Sequence, residues 1–378
     1  MKRILTAVTA AALLLTIPAA AAPAGTMNLD AKSFLLMERE TGTVLCESNA
    51  DQPLEPASVT KIMTLLLVVE AIDNGALALE DMVTVSAHAA SMGGSQVYLE
   101  EGEQMTVDDM LKAVAVASGN DAAVALGECL AGTEDAFVQR MNDRARELGM
   151  VNTHFVNCTG LPADGHLTSA RDIALMSREL MSHDLIRSYT TIWMDSLRDG
   201  QFQLANTNKL IRFYNGATGL KTGFTDTALY CMSATAQRDG MELIAVVMGA
   251  PTSDARSAAA KALLDYGFAN YALVDVKPDQ ALAPVTVLLG RDKQVQPQFA
   301  RACRLLVEKS KQNLITTEIT LAEDVEAPVE QGQKLGEMAV LVDGVTQQVI
   351  PIVASQEVAR QTIPGIFGQL MRRLLMAG

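Results

Sequence analysis

A serine and a lysine lie three residues apart in PASVTKIMTLLL, residues 56–67. Residues at this spacing share one face of a helix, so Ser58 and Lys61 can meet. Serine attacks a carbonyl only after a base removes its proton, and burial lowers the pKa of a lysine toward the range in which it can act as that base. The run that follows, Ile62 to Ala71, is apolar enough to provide such burial. The short Ser-x-x-Lys string is nevertheless common by chance, and its structural alternative is a helix N-terminus with a partly exposed lysine.

Two further motifs follow in the chain, after about 60 and about 100 more residues. Ser118-Gly119-Asn120 interrupts two predicted helices and places a hydroxyl and an amide on a tight turn. Lys221-Thr222-Gly223 lies on a predicted strand, where Gly219 and Gly223 allow a ligand to approach the backbone closely. The three motifs together are typical of penicillin-binding proteins and class A β-lactamases that form acyl-enzymes on serine.

The sequence resembles the low-molecular-weight penicillin-binding proteins, specifically the serine-type D-alanyl-D-alanine carboxypeptidases. The similarity extends to the stretches 156–162, 166–172 and 219–226. It is close over residues 27–270 and looser beyond them. The second motif is Ser-Gly-Asn rather than Ser-Asp-Asn, a variant that is similar to the carboxypeptidase branch.

This resemblance implies a role for each catalytic residue. Ser58 would attack the carbonyl of a D-Ala-D-Ala peptide bond, with Lys61 as the base. Ser118 would relay the proton to the leaving D-alanine, helped by Lys221, whose charge also lowers the pKa of Lys61. Asn120 would hydrogen-bond the substrate amide and Lys61.

The resemblance also implies how substrate is held. Backbone N–H groups of Ser58 and Phe224 would form the oxyanion hole, where one donor is typically worth about 10²–10³ in rate. Arg256 would bind the terminal carboxylate of the substrate, although a solvated helix arginine is an equally good interpretation. The implied substrate-binding residues are Thr222, Gly223, Phe224, Thr225 and Arg256.

Composition and the N-terminus restrict the class of protein further. A formal charge of −14 over 378 residues argues against a nucleic-acid partner. Residues 1–25 combine a short basic start, an apolar run and small residues, which is the pattern of a cleaved secretory signal peptide; a short membrane anchor is the less favoured alternative. Five scattered cysteines and four unpaired histidines give no metal site, and no cofactor is expected.

The order of the predicted elements indicates a mixed α/β (α+β) fold similar to that of β-lactamases and transpeptidases. We expect a hairpin over residues 33–46, a mostly helical block to about residue 182, strands from residue 216 and a closing helix over residues 255–267. Short apolar strands then predict a small, mainly β domain, within which residues 298–309 are ambiguous between strand and helix. The predicted division is signal peptide 1–25, catalytic domain 26–273, β domain 274–356 and terminal helix 357–378.

The terminal helix carries a single apolar stripe with Arg372 and Arg373 off it. A helix docked on its own β domain is one interpretation, and an amphipathic helix lying in a membrane surface is the favoured one. The stripe consists of Ile363, Ile366, Phe367, Leu370, Met371, Leu374 and Leu375.

We therefore expect an exported hydrolase that removes the terminal D-alanine from peptidoglycan stem peptides and is acylated by β-lactams. It would reside at the outer face of the bacterial cytoplasmic membrane, peripherally, or be secreted. A β-lactamase is the first alternative, although no glutamate occurs between Glu147 and Glu179 to act as the deacylating residue of the class A enzymes. A non-catalytic β-lactam sensor or wall-binding protein is the second alternative.

Overall fold

The computed structural model describes residues 27–278, 281–365, 367, 371 and 375. The predicted signal peptide, residues 1–25, lies outside these described residues. The chain divides into two compact units between Leu264 and Asp265.

Helices and strands are interspersed over the first 270 residues, and strands predominate in the described residues beyond them. The strands are β1 (Ser33–Glu38), β2 (Val44–Ser48), β3 (Met82–Thr84), β4 (Gln104–Thr106), β5 (Met194–Leu197), β6 (Phe202–Ala205), β7 (Ala217–Thr225), β8 (Leu229–Arg238), β9 (Met241–Ala250), β10 (Tyr271–Asp275), β11 (Val285–Leu288), β12 (Gln294–Val295), β13 (Pro297–Phe299), β14 (Arg304–Glu308), β15 (Ile315–Leu321), β16 (Asp324–Glu326), β17 (Lys334–Val342) and β18 (Val345–Ala354). The α-helices are α1 (Lys61–Asp73), α2 (Ala87–Ala90), α3 (Val107–Ala115), α4 (Asn120–Ala131), α5 (Glu134–Glu147), α6 (Ala170–Leu180), α7 (Asp184–Thr190), α8 (Leu210–Phe213) and α9 (Ser253–Asn270), with 3₁₀ turns at Ala57–Thr60 and Lys309–Leu314.

The first unit is built on an antiparallel sheet in the order β2-β1-β9-β8-β7. The predicted hairpin of β1 and β2 is confirmed, with Phe34 opposite Ser48. Every residue of β9 is buried, as the central position of this strand requires, and its one charged residue, Glu242, pairs with Arg39 and Arg187. β7 lies at the edge of the sheet and packs against the 3₁₀ turn that carries Ser58.

The helical block positions that turn. α1 packs against α3, α4, α5 and α6, and α6 in turn packs on β1, β8 and β9. Nine of the thirteen residues of α1 are buried, so this helix runs through the core rather than along its surface. Side-chain caps begin α3 and α6: Thr106 accepts from Asp109 N, and Ser169 accepts from Asp172 N.

The second unit is mainly β, as the sequence predicts. β13, β18, β17 and β15 form an antiparallel sheet, and β11 pairs with β12 and, in parallel, with β16. The ambiguous segment 298–309 is mostly extended, because alternate side chains of β14 are buried in the pattern of a half-covered strand. This unit has two core clusters, of which one includes Cys303, Leu305, Val307, Met338, Val340, Ile350 and Ile352 and the other includes Val285, Val287, Val295, Leu335 and Val358.

The described part of the terminal segment is helical at 363–365, 367, 371 and 375. Of the predicted apolar stripe, Ile363, Phe367, Met371 and Leu375 are described, and all four are exposed. The remaining stripe residues lie outside the described residues. None of the helices in the described part of the chain combines the length and the apolar character that crossing a membrane requires.

Candidate active site

Ser58 lies in a short 3₁₀ turn that leads directly into α1. Ala57, immediately before it, is buried and has a positive φ of 49°, a region that a residue with a Cβ atom seldom occupies. The chain therefore bends sharply before Ser58. The serine is half-buried, whereas its neighbours Val59 and Thr60 are fully enclosed.

Lys61 is fully buried and its ammonium nitrogen lies between three oxygens. Nζ donates to Ser58 Oγ at 3.0 Å, to Asn120 Oδ1 at 2.5 Å and to the carbonyl of Thr159 at 2.8 Å. None of these partners is a carboxylate, so the lysine has hydrogen bonds without a compensating negative charge in direct contact. The geometry brings the predicted base to the predicted nucleophile.

Burial lowers the pKa of Lys61 from 10.5 to about 7, although Cys158 and Asp121 act in the opposite direction. With the ordinary pKa, roughly one lysine in a few thousand is neutral at pH 7, whereas a pKa of about 7 leaves about half of them neutral. A neutral amine next to a serine hydroxyl can accept its proton. The apolar character of α1 is thus the physical cause of the basicity that the chemistry needs.

The Ser118-Gly119-Asn120 motif lies between α3 and α4, with Asn120 as the first residue of α4. Ser118 has φ of 65° and is 3 % exposed, and its Oγ has no hydrogen-bond partner among the described residues. Asn120 donates from Nδ2 to the carbonyl of Gly93 while Oδ1 accepts from Lys61. A buried hydroxyl without a hydrogen-bond partner lowers the stability of the fold unless a ligand forms a hydrogen bond with it.

Lys221, Thr222 and Gly223 lie on the edge strand β7. The Nζ of Lys221 is fully buried and donates to the carbonyl of Thr222 at 2.9 Å. Burial, together with the positive charges of Lys61 and Arg256, holds the pKa of Lys221 well below its usual range. A Cβ atom on Gly223 would lie 2.9 Å from Ser58 N, so only glycine lets this strand approach the nucleophile turn so closely.

Arg256 lies in the first turn of α9 and is 7 % exposed, so it is not the solvated helix arginine of the alternative interpretation. Its Nη1 is 3.5 Å from the carbonyls of Gly223 and Cys231, its Nη2 donates to Ser253 Oγ at 3.2 Å, and its buried Nε has no partner among the described residues. The guanidinium lies 5.6 Å from the ring centre of Tyr230, which stacks on Phe224 at 4.3 Å. A buried cation with such long contacts can bind an incoming anion.

The remaining predicted substrate residues surround the same strand. Thr222 Oγ1 donates to Thr207 Oγ1 at 2.7 Å. Thr225 Oγ1 accepts from Ala228 N and closes the turn after β7, and Phe224 is 48 % exposed at the end of the strand. Residues of β7, the 3₁₀ turn and the α3–α4 junction thus meet in one place.

Asp121, Gly93 and Thr159 also contribute to the site, and motif matching alone did not select them. The Asp121 carboxylate is buried next to Asn120 and accepts from the N–H groups of Val97 and Leu99. It therefore ties the loop before β4 to the start of α4. Thr159 lies in the stretch 156–162, which resembles the carboxypeptidase family, so the sequence does contain a signal for it. No sequence pattern indicates a role for Asp121 or Gly93.

One group of acidic and histidine side chains lies outside this site. Glu70, Glu179 and His183 bring potential ligand atoms within 4.8 Å of one another. Arg144 donates to both carboxylates, so the negative charge is already paired by a guanidinium.

Comparison with known proteins identifies the family. The family profile described as "D-alanyl-D-alanine carboxypeptidase" matches residues 18–252, and that of the "Penicillin-binding protein 5, C-terminal domain" matches residues 276–360. The chain belongs to the D-alanyl-D-alanine carboxypeptidase family. Within this family, it is 44% identical over 336 residues to "D-alanyl-D-alanine carboxypeptidase DacF" of Bacillus subtilis, covering 88% of this chain and 86% of that protein.

Solved structures of carboxypeptidase relatives share the fold. Penicillin-binding protein 5 from Haemophilus influenzae superposes with a TM-score of 0.77 at 29% identity, covering 88% of this chain and 99% of its own. Penicillin-binding protein D2 from Listeria monocytogenes, solved in an ampicillin-bound form, gives a TM-score of 0.59 at 34% identity and covers 64% of this chain and 99% of its own. Membership of this family of serine-type, penicillin-binding hydrolases favours the carboxypeptidase over the β-lactamase alternative.

Proposed function

We propose that this protein is a serine-type D-Ala-D-Ala carboxypeptidase that trims peptidoglycan stem peptides through an acyl-enzyme on Ser58. The observation that carries the proposal is the position of the buried Lys61 Nζ, 3.0 Å from Ser58 Oγ, with a pKa lowered to about 7. A base with this pKa is half available at neutral pH and is already in hydrogen-bond contact with its nucleophile.

In the acylation step, neutral Lys61 takes the proton of Ser58 while Oγ bonds to the carbonyl carbon of the penultimate D-alanine. The resulting oxyanion accepts from the N–H groups of Ser58 and Phe224. The C–N bond then breaks, and Ser118 passes a proton to the leaving D-alanine amine and is reprotonated by Lys61, which returns to its neutral form. The buried hydroxyl of Ser118, with no partner among the described residues, fits such a relay.

In the second step, water hydrolyses the ester on Ser58. Lys61 again accepts a proton, now from water, and returns one to Oγ as the ester bond breaks. Asn120 fixes the lysine throughout, because its Oδ1 accepts from Nζ at 2.5 Å. The products are the shortened stem peptide and the free enzyme.

The proposed substrate-binding residues belong to β7 and the first turn of α9. Arg256 is buried, contacts the carbonyls of Gly223 and Cys231 at 3.5 Å and Ser253 Oγ at 3.2 Å, and would pair with the terminal carboxylate. Thr222 and Thr225 offer hydroxyls beside it. A β-lactam carries an equivalent carboxylate next to a reactive amide, so we propose that it acylates Ser58 and blocks the site.

A labelling experiment tests this proposal. The purified protein from residue 26 onward is treated with a fluorescent penicillin and separately with an N-acylated Lys-D-Ala-D-Ala peptide, with Ser58→Ala alongside. The exposed Ser182, which caps nothing in the site, provides the matched control Ser182→Ala.

Long-lived labelling and D-alanine release in the wild type and in Ser182→Ala, both lost in Ser58→Ala, support the proposal. Labelling without peptide turnover indicates a β-lactam sensor, and rapid turnover of the drug indicates a β-lactamase. Absence of labelling in the wild type contradicts the whole scheme.

We further propose that the protein is exported and associates peripherally with the outer face of the cytoplasmic membrane through residues 357–378. The signal-like pattern of residues 1–25 and the exposed apolar side chains at positions 363, 367, 371 and 375 support this. In the same scheme, residues 26–273 form the catalytic domain and residues 274–356 the β domain.

A further inference from the structure

A continuous hydrogen-bonded path runs from a buried histidine to the residue before the nucleophile. His166 Nδ1 accepts from Val156 N at 3.0 Å, so its proton is on Nε2. Nε2 lies 2.8 Å from Thr60 Oγ1 and donates to it, and the Thr60 hydroxyl donates to the carbonyl of Ala57 at 2.9 Å. Each donor and acceptor along the path therefore has a single consistent role.

The histidine is suited to stay in this neutral form. His166 is 2 % exposed, and burial, with a smaller contribution from His154, lowers its pKa to about 4. Protonation would place a second N–H on Nδ1, directly against the N–H of Val156. At neutral pH the ring acts as a fixed connector rather than as a proton carrier.

The path ends at a strained residue. Ala57 adopts φ of 49°, a left-handed conformation that is unfavourable for an L-residue because its Cβ approaches the following carbonyl oxygen. Nothing in the side chain of alanine stabilises that conformation. Its carbonyl accepts from Thr60 and is closely approached by Gly160, on which a Cβ atom would lie only 1.8 Å from that oxygen.

The same chain segment also supports the base. The carbonyl of Thr159 accepts from Lys61 Nζ, and the carbonyl of Cys158 accepts from Thr64 Oγ1 at 2.7 Å. Residues 60, 61 and 64 lie at or just before the first turn of α1, and all three bond to residues between 158 and 166.

From this geometry we propose that His166 and Thr60 are positioning residues for Ser58. By holding Ala57 in its left-handed conformation, they fix the direction of Ser58 Oγ relative to Lys61 Nζ. Neither residue takes a proton from the substrate. The proposal rests on the acyl-enzyme function proposed above and adds to it the hydrogen bonds that orient the Ser58 hydroxyl.

The test uses acylation by a fluorescent penicillin and the kcat and KM for a D-Ala-D-Ala peptide. Thr60→Val keeps the shape of the side chain and removes the hydroxyl, Thr60→Ser restores the hydroxyl, and His166→Ala removes the connector. His154→Ala is the matched control, because His154 is exposed and its backbone pairs with Leu167, the residue after His166.

We expect Thr60→Val and His166→Ala to lower the acylation rate and kcat by about 10- to 100-fold, the effect of losing one or two buried hydrogen bonds that orient a reacting group. KM should change by less than about threefold, since substrate contacts are intact. Thr60→Ser and His154→Ala should remain within about threefold of the wild type in both constants.

Ala57→Gly separates positioning from general folding. Glycine adopts positive φ without strain, so a chain that carries this substitution depends less on the path. Introduced into the Thr60→Val chain, Ala57→Gly should recover at least about threefold of the lost kcat; thermal melting of each variant shows that the comparison is made on folded protein.

Unchanged kcat in Thr60→Val overturns the inference and leaves the proposed function intact. Equal losses in Thr60→Val with and without Ala57→Gly overturn it as well, because the loss would then not pass through Ala57. A wild-type protein that is not acylated overturns the proposed function and this inference together.

Discussion

At the scale of the residue, the arrangement resolves the apparent conflict between a lysine and an apolar helix. A buried cation without a carboxylate partner is destabilising, and the protein keeps Lys61 by giving it three oxygen acceptors. The same desolvation that costs stability lowers the pKa of the lysine to about 7. The penalty and the basicity therefore have a single cause, the packing of α1 within the core.

The pH dependence of acylation follows from this shift. Lys61 is charged below its pKa and cannot accept a proton, so the acylation rate should fall on the acid side with a midpoint near pH 7. Below the midpoint we expect about a tenfold loss per pH unit. Single-turnover labelling by a fluorescent penicillin, from acid to mildly alkaline pH, measures it. A rate that stays constant across the neutral and acid range would exclude Lys61 as the base with this pKa.

Asp121 provides a second prediction about the same lysine. Its negative charge raises the pKa of Lys61, against the larger effect of burial. Asp121→Asn keeps the size of the side chain and removes the charge, so the pKa of Lys61 should fall and the acid limb should shift to lower pH. The matched control is Asp239→Asn, in the exposed turn between β8 and β9, which should leave the midpoint in place. A shift to higher pH would contradict the proposed electrostatics.

At the scale of the element, sequence signals located the long pieces of the fold and missed the short ones. α3 and α6 begin where a capping side chain precedes an amphipathic run, and both caps are formed. The pairs β3–β4 and β5–β6 were not predicted, because strands of three or four residues are too short to show a clear alternation of apolar and polar residues. Their pairing depends on distant partners.

The active site likewise contains residues that the sequence predicts and supporting groups that it does not. Two of the three short motifs predicted Ser58, Lys61 and Asn120, and in the structure Lys61 contacts both of the others directly. Most of their supports could not be predicted, since they are carbonyl groups, such as that of Gly93, and backbone angles rather than residue types; Thr159 is the exception, because it lies in a stretch that carries the family resemblance. The left-handed Ala57 and Ser118 have no sequence signature, because both angles are imposed by the packing around them.

The hairpin of β7 and β8 carries an aromatic stack that supports Arg256. Tyr230 lies between Phe224 and the guanidinium, and a cation–π contact with limited solvent access is worth about 1 kcal/mol or more. Tyr230→Leu should therefore raise the KM for a D-Ala-D-Ala peptide by about three- to tenfold and change kcat less. Tyr230→Phe, which keeps the ring, is the control and should resemble the wild type. Equal KM values for the two variants would show that the stack does not orient Arg256.

At the scale of the whole molecule, the second unit and the terminal segment differ in how they treat apolar side chains. The β unit encloses Met338, Val340 and Ile352 in its own core. The terminal segment instead exposes Ile363 at 83% and Leu375 at 77%. Exposed apolar side chains at a spacing of four residues lie on one face of a helix, which is the pattern of a surface that inserts among lipids.

Vesicle binding tests the membrane proposal. The chain from residue 26 onward should sediment with vesicles of phosphatidylethanolamine and phosphatidylglycerol, because each large apolar side chain that leaves water contributes about 2 kcal/mol. Replacing Phe367 and Leu375 together by glutamate should reduce the bound fraction at least about tenfold, since charged groups at that depth are costly. Val345→Glu provides the control, because Val345 is 61% exposed in the β unit and should not touch lipid. D-alanine release from a soluble peptide should be the same in all three proteins. If the wild type stays in the supernatant, or if the double variant binds as well as Val345→Glu, residues 357–378 are not the membrane-binding element.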